Sequence, residues 1–171
     1  MPLVLTRIDD RLIHGQVVVG WGLLLKPGRI ILCSDAIAGS SWEKEIYMGA
    51  EAMAPYPLSI SVFTTEETLS FLNDEMNEQE KIILLVETPQ DILELIKRGI
   101  KIDKINVGGM HYRQGKRRLA PYIFVDEQDI ELFKEINQME IELEGREVPT
   151  GKRIDIIKAI ESFEQQNPGL I

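Results

Sequence analysis

Continuous apolar runs alternate along this chain with longer stretches in which apolar residues recur every three or four positions. The runs predict strands at Leu3–Ile8, Ile30–Ser34, Leu58–Phe63, Lys81–Val86, Lys104–Val107, Tyr122–Val125 and Glu140–Glu144. Several are apolar throughout, as in Ile82-Ile83-Leu84-Leu85-Val86. That pattern suits a parallel strand covered on both faces. The intervening stretches predict helices. Gln16–Leu25 is closed by Pro27-Gly28, and Ser41–Ala52 has Ser40 or Ser41 as its cap and Pro55 as its stop. Thr65–Met76 carries Glu66 and Glu67 in its first turn, where carboxylates favour the helix dipole. Thr88 caps a helix that opens at Pro89, runs to Arg98 and ends at Gly99. Asp126 caps Glu127–Gln138, and Ile154, Ile157 and Ile160 place a last helix over Arg153–Gln165.

A repeated strand–helix order predicts an α/β fold: a mostly parallel open sheet of about seven strands with helices on both faces. No linker or repeat divides the chain, so residues 1–171 read as a single domain. In such a sheet the ligand site lies at the carboxyl ends of the strands. The loop after the first strand, Ser34-Asp35 after the second, and Gly108-Gly109 after a later one should all open on that edge.

Composition narrows the function. The net charge of −9 argues against nucleic-acid binding, which needs a basic surface. A single cysteine, Cys33, excludes an internal disulfide and favours a reducing cytoplasm; its apolar neighbours make it a buried packing residue. No secretion signal is expected, and Val17–Leu25 is too short to span a bilayer. Any membrane role therefore goes through a partner. Trp21 and Trp42 are expected to pack in the core.

The candidate chemistry is concentrated in Arg7-Ile8-Asp9-Asp10-Arg11-Leu12-Ile13-His14-Gly15-Gln16. An imidazole is nucleophilic near neutral pH, and guanidinium groups neutralise a phosphoryl group with a fork of donors. Gly15 removes a side chain beside His14, and backbone N–H groups from Gln16 to Val18 could face an anion. Asp9 and Asp10 could hold a guanidinium or the imidazole in place, or simply pair with Arg7 and Arg11 at the surface. They lack a third ligand at metal-site spacing, so neither a metal nor another cofactor is expected. Asp35 could orient His14 or Arg7, or cap a turn. Gly108-Gly109 allows close approach to a ligand, and His111 is a second candidate beside it. Arg113, Lys116, Arg117 and Arg118 form the one basic cluster, either a docking patch or a solvated loop.

The stretch from Arg7 to Val17 closely resembles the active-site signature of the enzyme IIB component of the bacterial phosphotransferase system, mannose/fructose/sorbose family. Arg29–Asp35, Ile105-Asn106-Val107-Gly108-Gly109-Met110-His111 and Val148-Pro149 agree with the same family. The resemblance implies that His14 is the phosphorylated residue, with Arg7 and Arg11 around it. It implies a IIA phosphodonor, IIC and IID membrane components, and a sugar as final acceptor. With no IIA domain in the sequence, the donor would be a separate chain, and the protein would be cytoplasmic, meeting the membrane through its partners. The assembly state stays open, a homodimer included. Exchange between histidines on two proteins calls for an exposed His14. The loop should then form a shallow positive depression, rimmed by Arg7, Arg11 and Arg113 or Lys116. Two other classes compete. A regulatory module would keep the phosphohistidine without sugar transfer. A histidine phosphatase would place an arginine directly before the histidine, where this chain has Ile13.

Overall fold

The computed structural model describes residues 3–168. Seven strands form the main sheet: β1 (Leu3–Asp9), β2 (Arg29–Cys33), β3 (Ser59–Phe63), β4 (Ile82–Val86), β5 (Lys104–Gly109), β8 (Glu142–Gly145) and β9 (Ile154–Asp155). Their order is β3-β2-β4-β1-β5-β8-β9, parallel except for β9, which runs antiparallel to β8. β6 (Arg117–Ala120) and β7 (Ile123–Val125) form a separate antiparallel hairpin.

The alternation of side chains along each strand builds two cores, one on each face of the sheet. From β4, Ile82, Leu84 and Val86 enter one core, and Ile83 and Leu85 enter the other. The first face is covered by α4 (Thr65–Asn73), α5 (Pro89–Lys97), α6 (Glu127–Gln138) and α7 (Ile156–Gln166). The second is covered by α2 (Asp35–Ala38), α3 (Ser41–Met48) and a π-helical segment, Gln16–Trp21, that continues into α1 (Gly22–Leu25). The chain leaves β1 over one face and β4 over the other. The switch point of the sheet therefore lies beside β1, and it puts residues 10–16 at the place where open sheets hold ligands.

Local sequence accounts for most helix ends. The side chains of Thr64, Thr88 and Asp126 each accept a bond from the backbone N–H three residues on, and their own backbone N–H donates in return to that residue's carboxylate. Lys26 closes α1 in the left-handed region, with φ of 47°, just before Pro27. Two helices are shorter than their periodicity predicts. The helix predicted over Thr65–Met76 stops at Asn73, because Asp74 turns its carboxylate to the Met76 N–H and starts a new turn. The helix predicted over Ser41–Ala52 stops at Met48 and tightens into a 3₁₀ turn, Gly49–Met53; the Ser40 side chain makes no capping bond.

The expected number of strands is met with one change of membership. Tyr122–Val125 does not join the main sheet. Its strand, β7, pairs with β6, which the basic cluster concealed in the sequence. The seventh place goes to β9, at the start of the stretch read as the C-terminal helix. Asp155 caps that helix through the Lys158 N–H, so Ile154 and Asp155 remain extended and pair with β8.

Candidate active site

β1 ends at Asp9, and the chain turns sharply at Leu12, which adopts a φ of 60° with its side chain buried. A left-handed leucine is costly, and the surrounding core must hold it. The turn aims Asp9, Arg11 and His14 at one point. The Asp9 carboxylate is fully buried and accepts from all three neighbouring cationic or imidazole side chains. Oδ2 receives Arg7 Nη2 at 2.8 Å, Arg11 Nη2 at 3.0 Å and His14 Nε2 at 3.0 Å. Oδ1 receives Arg11 Nε at 3.0 Å and the Arg11 backbone N–H at 3.1 Å. Burial opposes the charge on Asp9. The bonds from His14 and Arg11 and the charge of Arg7 outweigh it, and the carboxyl group is held well below the usual carboxylate range.

Arg7 does not rim a surface depression. It is 0% exposed, and burial draws its guanidinium pKa down against the opposing pull of Asp9. All five of its N–H groups are spent: Nε and Nη2 on Asp9, Nη2 also on the Glu147 carbonyl, and Nη1 on Asn106 Oδ1 and the Arg146 carbonyl. Its guanidinium lies 5.8 Å from the centre of the Trp21 ring, and Arg146 lies 5.8 Å from the same ring. A Cβ at Gly108 would overlap the Arg7 guanidinium, which gives this glycine a steric reason; one at Gly109 would press on Asp9 and Arg11 at 3.1–3.3 Å.

Arg11 is different. Its side chain is 27% exposed, and four of its five N–H groups are bonded: three to Asp9 and the Gly108 carbonyl, and one from Nη1 to Glu147 Oε1 at 3.3 Å. The Asp9 pairing offsets its partial burial and raises its pKa. His14 is 20% exposed and receives the Gln16 backbone N–H on Nδ1 at 3.3 Å. Nδ1 is thus an acceptor, so the ring proton resides on Nε2 and points at Asp9. All three backbone N–H groups expected to face an anion are turned to His14 itself: Gln16 donates to Nδ1, and Val17 and Val18 donate to the His14 carbonyl.

The remaining predicted residues divide. Asp10 and His111 form a second pair, with the His111 backbone N–H on Asp10 Oδ2 at 2.6 Å and Nδ1 on Oδ1 at 2.5 Å. Asp35 touches neither His14 nor Arg7; it accepts from the Thr65 N–H and ties the end of β2 to the start of α4. Gly15 has an ordinary helical φ of −54°, and an added Cβ would meet nothing within 4 Å. Its smallness is not required by this chain and leaves the face beside His14 open. Lys116 does not border the site; it pairs with Asp129 at 2.7 Å. Trp21 packs as expected, whereas Trp42 is 66% exposed. Cys33 is buried, which pushes its thiol pKa up. Among the described residues, no three His, Cys, Asp or Glu side chains could hold a metal, and no helix is long and apolar enough to cross a membrane.

Three functional neighbours escaped the sequence reading. Asn106 carries a visible signal, a lone amide between apolar strand residues, which burial obliges to find a partner. Arg146 and Glu147 carry none, because only the return of the chain after β8 brings them over β1.

The family model described as PTS system sorbose subfamily IIB component matches residues 3–168. The mannose-specific EIIAB component of the PTS system of Escherichia coli K12 is 36% identical over 165 residues, covering 96% of this chain and 50% of that protein. The chain thus spans half the length of the EIIAB relatives it matches. The fructose-specific EIIB component of Bacillus subtilis is 32% identical over 95% of this chain and 98% of its own length. The crystal structure of the IIBSor domain of the sorbose permease from Klebsiella pneumoniae superposes with a TM-score of 0.88 at 31% identity. It covers 95% of this chain and 98% of that one. The match spans every element that builds the site, from β1 to the return after β8, and the chain belongs to the sorbose subfamily of PTS system IIB components.

Proposed function

We propose that this protein is a phosphoryl carrier that takes phosphate onto His14 Nδ1 and delivers it to a sugar. The observation that carries the reading is the fixed tautomer. Asp9 holds the Nε2 proton and Gln16 N–H marks Nδ1 as the acceptor, which leaves a lone pair on the nitrogen away from the carboxylate. A neutral imidazole so oriented is a competent nucleophile.

In the first step the P–N bond of a donor phosphohistidine, on a IIA partner, breaks as an Nδ1–P bond forms. The donor imidazole leaves neutral. His14 gains positive charge, which the buried Asp9 carboxylate stabilises through Nε2–H. In the second step a sugar hydroxyl attacks phosphorus, the Nδ1–P bond breaks and the hydroxyl proton is released. Arg11 is the cation that meets the phosphoryl oxygens, because its outer Nη1 keeps an N–H beyond those spent on Asp9 and Gly108. Arg7 acts one layer deeper and holds Asp9 in place. IIC and IID components would present the sugar, and the protein would work at the cytoplasmic side without entering the bilayer.

The test is incubation with phosphorylated IIA and mapping of the modified peptide. The expected result is an acid-labile, base-stable label on His14 that His14→Ala abolishes. A label on His111, or one that survives His14→Ala, refutes the assignment.

A further inference from the structure

Glu147 supplies a carboxylate to a site otherwise arranged for an incoming anion. Its Oε1 accepts from Arg11 Nη1 at 3.3 Å, the one arm of that guanidinium turned away from Asp9. Its side chain also lies 3.5 Å from Gln16 Nε2 and is 36% exposed. The backbone beneath it is pinned, since the Glu147 carbonyl accepts from both Arg7 Nη2 at 3.0 Å and Trp21 Nε1 at 3.2 Å. The side chain can therefore rotate away without disturbing the segment that carries it. Gln16 supports the same picture. With Nε2 turned toward Glu147, its Oε1 is left buried without a hydrogen-bond partner. That arrangement is poor by itself and improves once the carboxylate moves and the amide is free to turn.

We propose that Glu147 is a positioning residue that acts through Arg11: an internal anion that neutralises its outer arm in the dephosphorylated state and is displaced when a phosphoryl group arrives on His14. Its charge then opposes phosphorylation and raises the tendency of the phosphoryl group to leave. The inference rests on the phosphohistidine reading above.

The experiment uses potassium phosphoramidate as phosphodonor, which removes any dependence on a protein partner. The donor P–N bond breaks, the His14 Nδ1–P bond forms and ammonia leaves. Wild type, Glu147→Gln and Glu147→Asp are compared by the initial rate of His14 labelling at low and high salt. Glu147→Gln keeps the shape and removes the charge. It is expected to label roughly three- to tenfold faster at low salt, the scale of one charge at a partly exposed site. The advantage should shrink toward unity at about 1 M salt, where the Debye length is about 3 Å. Glu147→Asp should stay close to wild type. A structural role alone would not produce a salt-dependent ratio. Labelling of His14 at equal rates in wild type and Glu147→Gln overturns the inference and leaves the phosphohistidine reading standing. Absence of label on His14 in every variant overturns both.

Discussion

Arg7, Arg11 and His14 all direct N–H groups at one buried carboxylate, whereas the cations of residues 113–118 fan out to separate partners. Arg113 reaches Glu87 at 3.3 Å, Lys116 reaches Asp129, and Arg117 and Arg118 stand exposed on β6. Both regions are dense in charge, and in the sequence they differ mainly in sign balance. In the fold one is a network around Asp9 with a single chemical focus, and the other divides into an exposed pair at Arg113, a separate part-buried pair at Lys116 and two exposed arginines. Shared burial of one counter-ion separates them, because a charge removed from water must be satisfied locally while an exposed one need not be.

The sharpest break of this contrast is Asp9→Ala. It leaves the buried Arg7 without its carboxylate, and stripping one partner from a buried pair costs about 3–5 kcal/mol. Chemical denaturation should read a loss of that size, together with loss of His14 labelling. Acid titration reads the same network without a mutation. Folded Asp9 stays ionised where an unfolded aspartate, with a pKa of about 3.9, takes up a proton. Its contribution is therefore complete above about pH 4 and fades as the pH falls below that. Asp9→Asn should flatten this part of the stability–pH curve, and an unchanged curve would show that Asp9 is not the titrating group.

Arg11→Ala separates chemistry from folding within the network. Transfer from a phosphodonor should slow by roughly tenfold to a thousandfold, the range for losing one preorganised electrostatic contact. The thermal midpoint should fall less than in Asp9→Ala, since Arg7 still pairs with the carboxylate. Arg11→Lys should restore only part of the rate, because the fork is lost. Wild-type kinetics in Arg11→Ala would move the phosphoryl contact elsewhere.

Gly108→Ala acts by volume alone. The new methyl overlaps the Arg7 guanidinium, and overpacking of this kind costs about 1–3 kcal/mol. Equal stability to wild type would mean that Arg7 has somewhere else to go. The smallest effect is expected at Arg113→Ala, where an exposed pair with Glu87 is lost: within about 0.5 kcal/mol, with wild-type labelling of His14. A large defect there would dissolve the contrast between the two regions.

The apolar runs determined the layered α/β architecture by themselves. Strands such as Ile82–Val86 have no polar face, so they must lie inside a sheet covered on both sides, and the Thr88 and Asp126 caps carry their own geometry. The density of Arg7, Asp9, Arg11 and His14 likewise marked one loop as the candidate site, and the fold gathers these side chains around the Asp9 carboxylate. Its internal division of labour was not legible there. That Arg7 is saturated and buried while Arg11 keeps one unspent N–H depends on the Arg146 and Glu147 carbonyls, on Asn106 and on the Glu147 side chain. These come from strands or returns far along the chain. The same holds for the transfer of Tyr122–Val125 to a hairpin and for the antiparallel β9. Side-chain periodicity records which faces are buried, but hydrogen-bond partners distant in sequence leave no periodic trace, and only their assembly around β1 decides what each charge can do.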